Sequence, residues 1–246
     1  METMNKQLKE LYESKWKKLK PALLKLNNER KLNKEKKIDE PKVAHPLLIQ
    51  VDDSYKEADI KVMFFGQNAL RWLGQVDKKS SVEECLSMYN RFYNGNMCQG
   101  YGGPFWNFIK KLKEDVSNSK KNKNKKVEYV WNNVLKIDEE GEPKDGIIET
   151  TFEHFNVIAE EIRILDPDVL IFLSGYTYDK HIEKTMGKFT HKTIDGFTEK
   201  QLCQLVFAKD PKIKAYRTYH PGGFRSIRIP GFRDIILDRL ISTIRK

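Results

Sequence analysis

Residues 213–225 read IKAYRTYHPGGFR, and the rest of the chain is organised around them. Ile213, Ala215 and Tyr216 begin a short run with the pattern of a strand. It stops at His220-Pro221, because proline lacks a backbone N–H and fixes φ. Gly222-Gly223 then opens backbone geometries closed to other residues. The expectation is a histidine at a strand's C-terminal end, above a tight loop, with Arg225 and Arg228 close behind. In open α/β sheets that edge is where ligands bind.

Working outward, three more segments read as strands. Residues 61–65 (KVMFF) run into the polar loop Gly66-Gln67-Asn68. Residues 127–135 (VEYVWNNVL) are interrupted by Asn132-Asn133. Residues 169–173 are continuously apolar and end in Ser174-Gly175. Helices are predicted over 81–93, from Pro104 onward, over 179–186 and over 230–244; proline is favoured at a first helical position. Another is predicted from the capping-box pattern Thr150-x-x-Glu153, with Phe152, Phe155, Ile158, Ala159, Ile162 and Leu165 on one face. Residues 94–104 and 138–146 read as loops, 189–208 as ambiguous with room for a hairpin, and 117–126 (SNSKKNKNKK) as a basic, mobile surface loop. Short apolar strands between amphipathic helices indicate an α/β fold. It has three layers, with helices on both faces of a mainly parallel central sheet of about four strands.

At the N-terminus Leu8, Tyr12, Trp16, Leu19, Leu23 and Leu26 recur at helical spacing, which predicts a helix packed across the outside of the core. Pro21 is expected to break or restart it, and residues 31–37 to form a charged linker. The organisation expected is a basic helical extension and linker over 1–58, followed by an α/β domain over 59–246.

The 246 residues carry a formal net charge of +10, which points to an acidic partner, nucleic acid first and an acidic membrane surface second. Three cysteines, Cys85, Cys98 and Cys203, lack metal-site spacing. That argues against structural zinc, an iron–sulfur cluster or a disulfide framework, and fits a reducing compartment. No apolar stretch is long enough to span a membrane, and the first residues lack a signal-type apolar core. The expectation is a soluble, cytoplasmic, monomeric protein with no cofactor or metal.

Four strand or loop ends carry residues with chemistry: Gln67-Asn68, the GGPF run ending at Phe105, Asn132-Asn133, and His220. In a doubly wound sheet these ends share one edge. The set offers neutral amides, an aromatic face and an imidazole, and suits a planar, polar, weakly charged ligand such as a nucleobase. No close carboxylate pair, Ser-His-Asp order or phosphate-cradling loop is present. Phe105 as ordinary core, Asn68 as a helix cap and Asn132-Asn133 as a mere strand end are the plainer readings of the same residues. His45, His154, His181 and His191 show no partner spacing.

In order and context these segments resemble the uracil-DNA glycosylase superfamily. KVMFFGQNAL resembles its first motif, GGPFW the segment with the base-stacking Phe, and VWNNVLK the strand whose Asn reads the base edge. DPDVLIFLSG resembles the strand before its Gly, and TYHPGGFR the His-Pro motif with its DNA-inserting loop. The likeness spans residues 61–245. It implies an enzyme that binds DNA and flips a nucleotide into a pocket, hydrolysing the N-glycosidic bond of uracil or a related damaged or modified base. Phe105 would stack on the base and Asn133 bind its edge, with Gln67 beside them. His220 would stabilise the departing anionic base and Asn68 position water. Arg225 and Arg228 would contact DNA. Asn68 stands where the most active branch has Asp, Ala69 where Pro is common, and the iron–sulfur branch's cysteines are missing. An inert DNA-binding protein of the same fold is the main alternative; a nucleotide-handling α/β enzyme is a third.

Overall fold

The computed structural model describes residues 3–35, 42–68, 72–119, 124–139 and 143–244. Ala69 and Leu70, and parts of the segments read above as a charged linker and a basic loop (36–37 and 120–123), lie outside them. The chain begins with helix α1 (Met4–Glu35) and a single turn, α2 (Asp53–Lys56), before β1 (Ile60–Gly66). Then come α3 (Val82–Tyr89), α4 (Pro104–Asn118), β2 (Val127–Asn133), α5 (Asp145–His154), α6 (Ile158–Leu165) and β3 (Val169–Leu173). The chain continues through α7 (Asp179–Met186), β4 (Phe189–Thr193), β5 (Leu202–Phe207), β6 (Lys214–Thr218) and α8 (Phe232–Thr243).

The fold is α/β, with one six-stranded mixed sheet in the order β2-β1-β3-β6-β5-β4. The first four in that order are mutually parallel, and β5 and β4 add antiparallel strands beyond β6. The expectation of about four strands is therefore too low. The ambiguous region 189–208 supplies the extra pair as a hairpin, and its outer strand is half polar, as an edge strand can be.

Alternating side chains of each central strand enter different cores. Met63 and Phe65 of β1 join Leu170 and Phe172 of β3 under α1, α3 and α6. Val62 and Phe64 join Val169, Ile171 and Leu173 under α4 and α8. Helices thus cover both faces, which is why these strands read as continuous apolar runs.

Helix α1 is unbroken and runs to Glu35, contrary to the expectations of a break at Pro21 and of a linker beginning at residue 31. Leu8, Tyr12, Leu19 and Leu23 are fully buried against the sheet's first face. At about 1.5–3 kcal/mol for each such side chain, that burial outweighs the ~3 kcal/mol cost of proline in a helix interior. Pro21 and Lys17, whose carbonyl loses its intrahelical donor, both face solvent.

The helix expected from Thr150 also differs. α5 starts at Asp145, inside the segment read as loop, and the Lys144 N–H just before it donates to the buried Glu139 carboxylate at 2.7 Å. Thr150 sits within α5 and its hydroxyl donates to the Gly146 carbonyl, so it caps nothing. The chain then breaks at Phe155 to Val157 before α6, and the apolar face read as one helix belongs to two.

Candidate functional site

β1 and β2 run parallel in a register that sets Gly66 beside Asn133 at their C-terminal ends. Two backbone bonds extend the pairing past the strands, from Val134 N–H to the Gly66 carbonyl and from Leu135 N–H to that of Gln67, both 3.0 Å. The Gln67 side-chain amide donates to the Ser174 carbonyl at the end of β3, 2.8 Å away. Three strand ends are thereby tied together.

Above this edge lies a cavity of about 360 Å³. Gln67, Asn68, Phe105, Asn133 and His220, from four separate stretches of sequence, all line it. The five residues singled out in the sequence for a ligand pocket thus line one cavity. Aromatic side chains that the sequence reading did not single out supply much of the wall: Trp72, Phe92, Tyr101, Trp106 and Trp131. They form a continuous edge-to-face network, with Trp106 and Trp131 centroids 5.0 Å apart at 72° and Phe92 and Tyr101 5.3 Å apart at 71°.

The strand pleat separates the two adjacent asparagines. Tyr129, Trp131 and Asn133 point to one side and Val130 and Asn132 to the other. Asn132 faces the α1–α6 layer, where its Nδ2 donates to Glu161 at 2.8 Å and its Oδ1 accepts from Lys136 Nζ at 2.7 Å. Tyr12 of α1 donates to the same Glu161 carboxylate at 2.6 Å, and Lys136 pairs with it at 2.7 Å. All four side chains of this network are buried. Asn133 Oδ1 accepts the Trp131 indole N–H at 3.2 Å, while its Nδ2 is buried with no protein partner. A buried amide donor left open beside a cavity is available to an acceptor on a ligand. The period-2 rule in residues 129–133 was the sequence signal that could have paired Trp131 with Asn133.

Gly66 permits the close approach. A Cβ there would lie 2.5 Å from Asn133 Oδ1 and 3.3 Å from the Phe105 ring. Phe105, in the first turn of α4 behind Pro104, lies nearly parallel to the His220 imidazole, with centroids 5.6 Å apart at 7°.

His220 ends the segment after β6 and caps a 3₁₀ turn (Pro221–Ser226). Its Nδ1 accepts the Gly222 N–H at 3.1 Å. That assigns the imidazole proton to Nε2, and burial holds the ring's pKa below its ordinary value. The side chain is therefore a neutral N–H donor at pH 7. Gly222 suits this contact, since a Cβ on it would press against Nδ1 at 3.1 Å.

Arg225 and Arg228 do not line this cavity. Both are exposed on the loop beyond it. Arg225 joins Arg233 and the first turn of α4 around a neighbouring open groove of about 500 Å³, while Arg228 is not among the residues that line it. Ile229, 40% exposed, stands on the groove's lip. Cys85, Cys98 and Cys203 are buried free thiols, and no described helix is long and apolar enough to cross a membrane.

Comparison with protein-family models and with curated proteins finds no match.

Proposed function

We propose that the protein is a DNA glycosylase of the uracil-DNA glycosylase type, acting on uracil or a related damaged or modified base flipped out of DNA. The convergence of Gln67, Asn68, Phe105, Asn133 and His220 on one aromatic-walled cavity is the observation that carries this reading. Flipping is needed because a stacked base hides its glycosidic bond. The Phe105 and His220 rings are too close to admit a third ring between them, since two stacking gaps need about 7 Å. The base therefore lies against Phe105 and beside the imidazole. Asn133 Nδ2 donates to an acceptor on the base edge.

Cleavage breaks the bond from C1′ to the base nitrogen, and the bonding pair leaves with the base. The neutral His220 Nε2–H stabilises the resulting anion by hydrogen bonding, without transferring its proton. Asn68 orients a water whose oxygen bonds to C1′. The water's proton passes to solvent and the departing base takes one up. An amide orients water but is not a base at neutral pH, so turnover is slow beside an enzyme with a carboxylate at that position. Arg225 and Arg228 engage phosphates, in keeping with the net charge of +10.

The test is alkaline cleavage of labelled single- and double-stranded oligonucleotides carrying uracil, a G:T mismatch, hypoxanthine or hydroxymethylcytosine. Abasic product formed by the native protein and lost in His220→Ala is expected. No product on any of these bases would defeat the reading.

A catalytically inert DNA-binding role has one observation in its favour: among the described residues that line the cavity there is no Asp or Glu. Tight, salt-sensitive DNA binding with no abasic product distinguishes it.

A further inference from the structure

A second cavity, of about 230 Å³, lies between α4 and residues 93–101. Tyr101 and Trp106 line both it and the first cavity. Its other walls include Tyr93, Cys98, Gln99 and Lys113.

Lys113 is unusual for a half-buried lysine. Its ammonium donates to the Tyr93 hydroxyl at 3.0 Å and lies over two rings, 4.7 Å from the Tyr93 centroid and 5.1 Å from that of Tyr129. Among the described residues no carboxylate pairs with it within 4.0 Å. Ring faces and one hydroxyl compensate an ammonium less well than a carboxylate does. Burial accordingly lowers the group's pKa, and the more distant Glu128 carboxylate offsets only part of that. Its positive charge is therefore under-compensated and lines an open cavity.

The rest of the lining narrows the ligand. Lys110 and Glu114, one helical turn apart on the same wall, offset one another in charge. One cation remains, and it matches a monoanion better than a dianion. The aromatic walls favour a flat ring. The volume falls below the roughly 300–1,000 Å³ of pockets that hold drug-sized ligands, which limits the body to about one ring.

We propose that this second cavity is a binding site for a small single-ring aromatic carboxylate, its charged group on Lys113 and its ring against Trp106 and Tyr101. The two cavities share Tyr101 and Trp106, but the proposed site stands or falls on binding alone, whatever chemistry the first cavity performs.

Isothermal titration and thermal unfolding of the full chain, with benzoate, benzamide and inorganic phosphate as probes, test it. Benzoate is expected to bind and raise the melting temperature, and the neutral benzamide to bind at least tenfold more weakly. Lys113→Met should weaken benzoate at least tenfold, and Lys113→Arg, which keeps the charge, should retain binding. Lys113→Met is also a fold control, because an unbranched apolar side chain fits the same aromatic slot. Failure of native protein to bind benzoate, equal binding of benzamide, or undiminished binding by folded Lys113→Met would each overturn the proposal. Phosphate binding more tightly than benzoate would also overturn it, since the site would then select charge without the ring.

Discussion

Gly66→Ala probes the close approach on which the cavity depends. The new Cβ would lie 2.5 Å from Asn133 Oδ1, a separation that real Cβ atoms do not show. Reaching a tolerable separation of about 3.2 Å requires Asn133 to yield by roughly 0.7 Å, with a smaller shift of Phe105. Asn133 has little freedom to yield. Its Oδ1 already accepts from Trp131 at 3.2 Å, and its backbone is paired with β1. Overpacking of this kind costs about 1–3 kcal/mol. A displacement approaching 1 Å at a positioning group lowers a rate by up to about 100-fold.

The expected result is therefore a folded protein, about 1–3 kcal/mol less stable by urea unfolding, with single-turnover base excision slowed about 10–100-fold. A double-mutant cycle isolates the cause. In an Asn133→Ala background most of the clash is gone, so Gly66→Ala should cost much less there, a coupling of about 1 kcal/mol or more. Equal cost in both backgrounds, or a cost below about 0.5 kcal/mol in the native one, would refute the geometric argument, whatever the activity.

Three further outcomes are expected. His181 is buried with an unpartnered Nδ1, and desolvation, aided by Lys180 and Lys184, pushes its pKa from 6.5 to about 4. The unfolded chain takes up this proton first, so its contribution to stability is full above pH 6.5 and is lost as pH falls toward 4. The size is about 1–3 kcal/mol, read as the part of acid destabilisation in denaturant titrations that disappears in His181→Phe. Lys136→Met leaves the Glu161 carboxylate buried without its cation and should cost about 3–5 kcal/mol. Adding Glu161→Gln should restore at least about 1 kcal/mol, and no restoration would argue against charge as the cause. Arg225→Ala and Arg228→Ala should each reduce the slope of log affinity for DNA against log salt by about 1. Unchanged slopes would remove those side chains from the interface.

Much of the fold was legible because local rules and tertiary structure agreed. The central strands at 60–66 and 169–173 are apolar runs closed by Gly or Ser-Gly, while 127–133 ends in Asn-Asn and 214–218 runs on to His220-Pro221. A parallel sheet covered on both faces demands that pattern. α4 begins at Pro104, as proline's fixed φ invites, and α7 spans Asp179–Met186, where a helix was expected. Where the reading failed, long-range packing overrode a local signal. Pro21 does not break α1, because buried side chains on both sides of it hold the helix against the sheet. Thr150 and Glu153 match a capping box, yet α5 opens five residues earlier, where Glu139 accepts the Lys144 N–H.

The candidate site divides in the same way. Local sequence alone marks the residues at strand ends, Gln67, Asn68, Asn132-Asn133 and His220, with Phe105 behind a proline. Termination and helix-start rules act over a few residues, and they mark those positions without reference to the rest of the chain. Folding brings them to one cavity, walls it with aromatic side chains from four segments, and turns Asn133 rather than Asn132 toward it. It also assigns the His220 proton to Nε2, through the Gly222 N–H, and sets the Lys113 ammonium over the Tyr93 and Tyr129 rings. Those facts depend on distances between segments far apart in the chain, which strand register and helix packing set and no local pattern encodes.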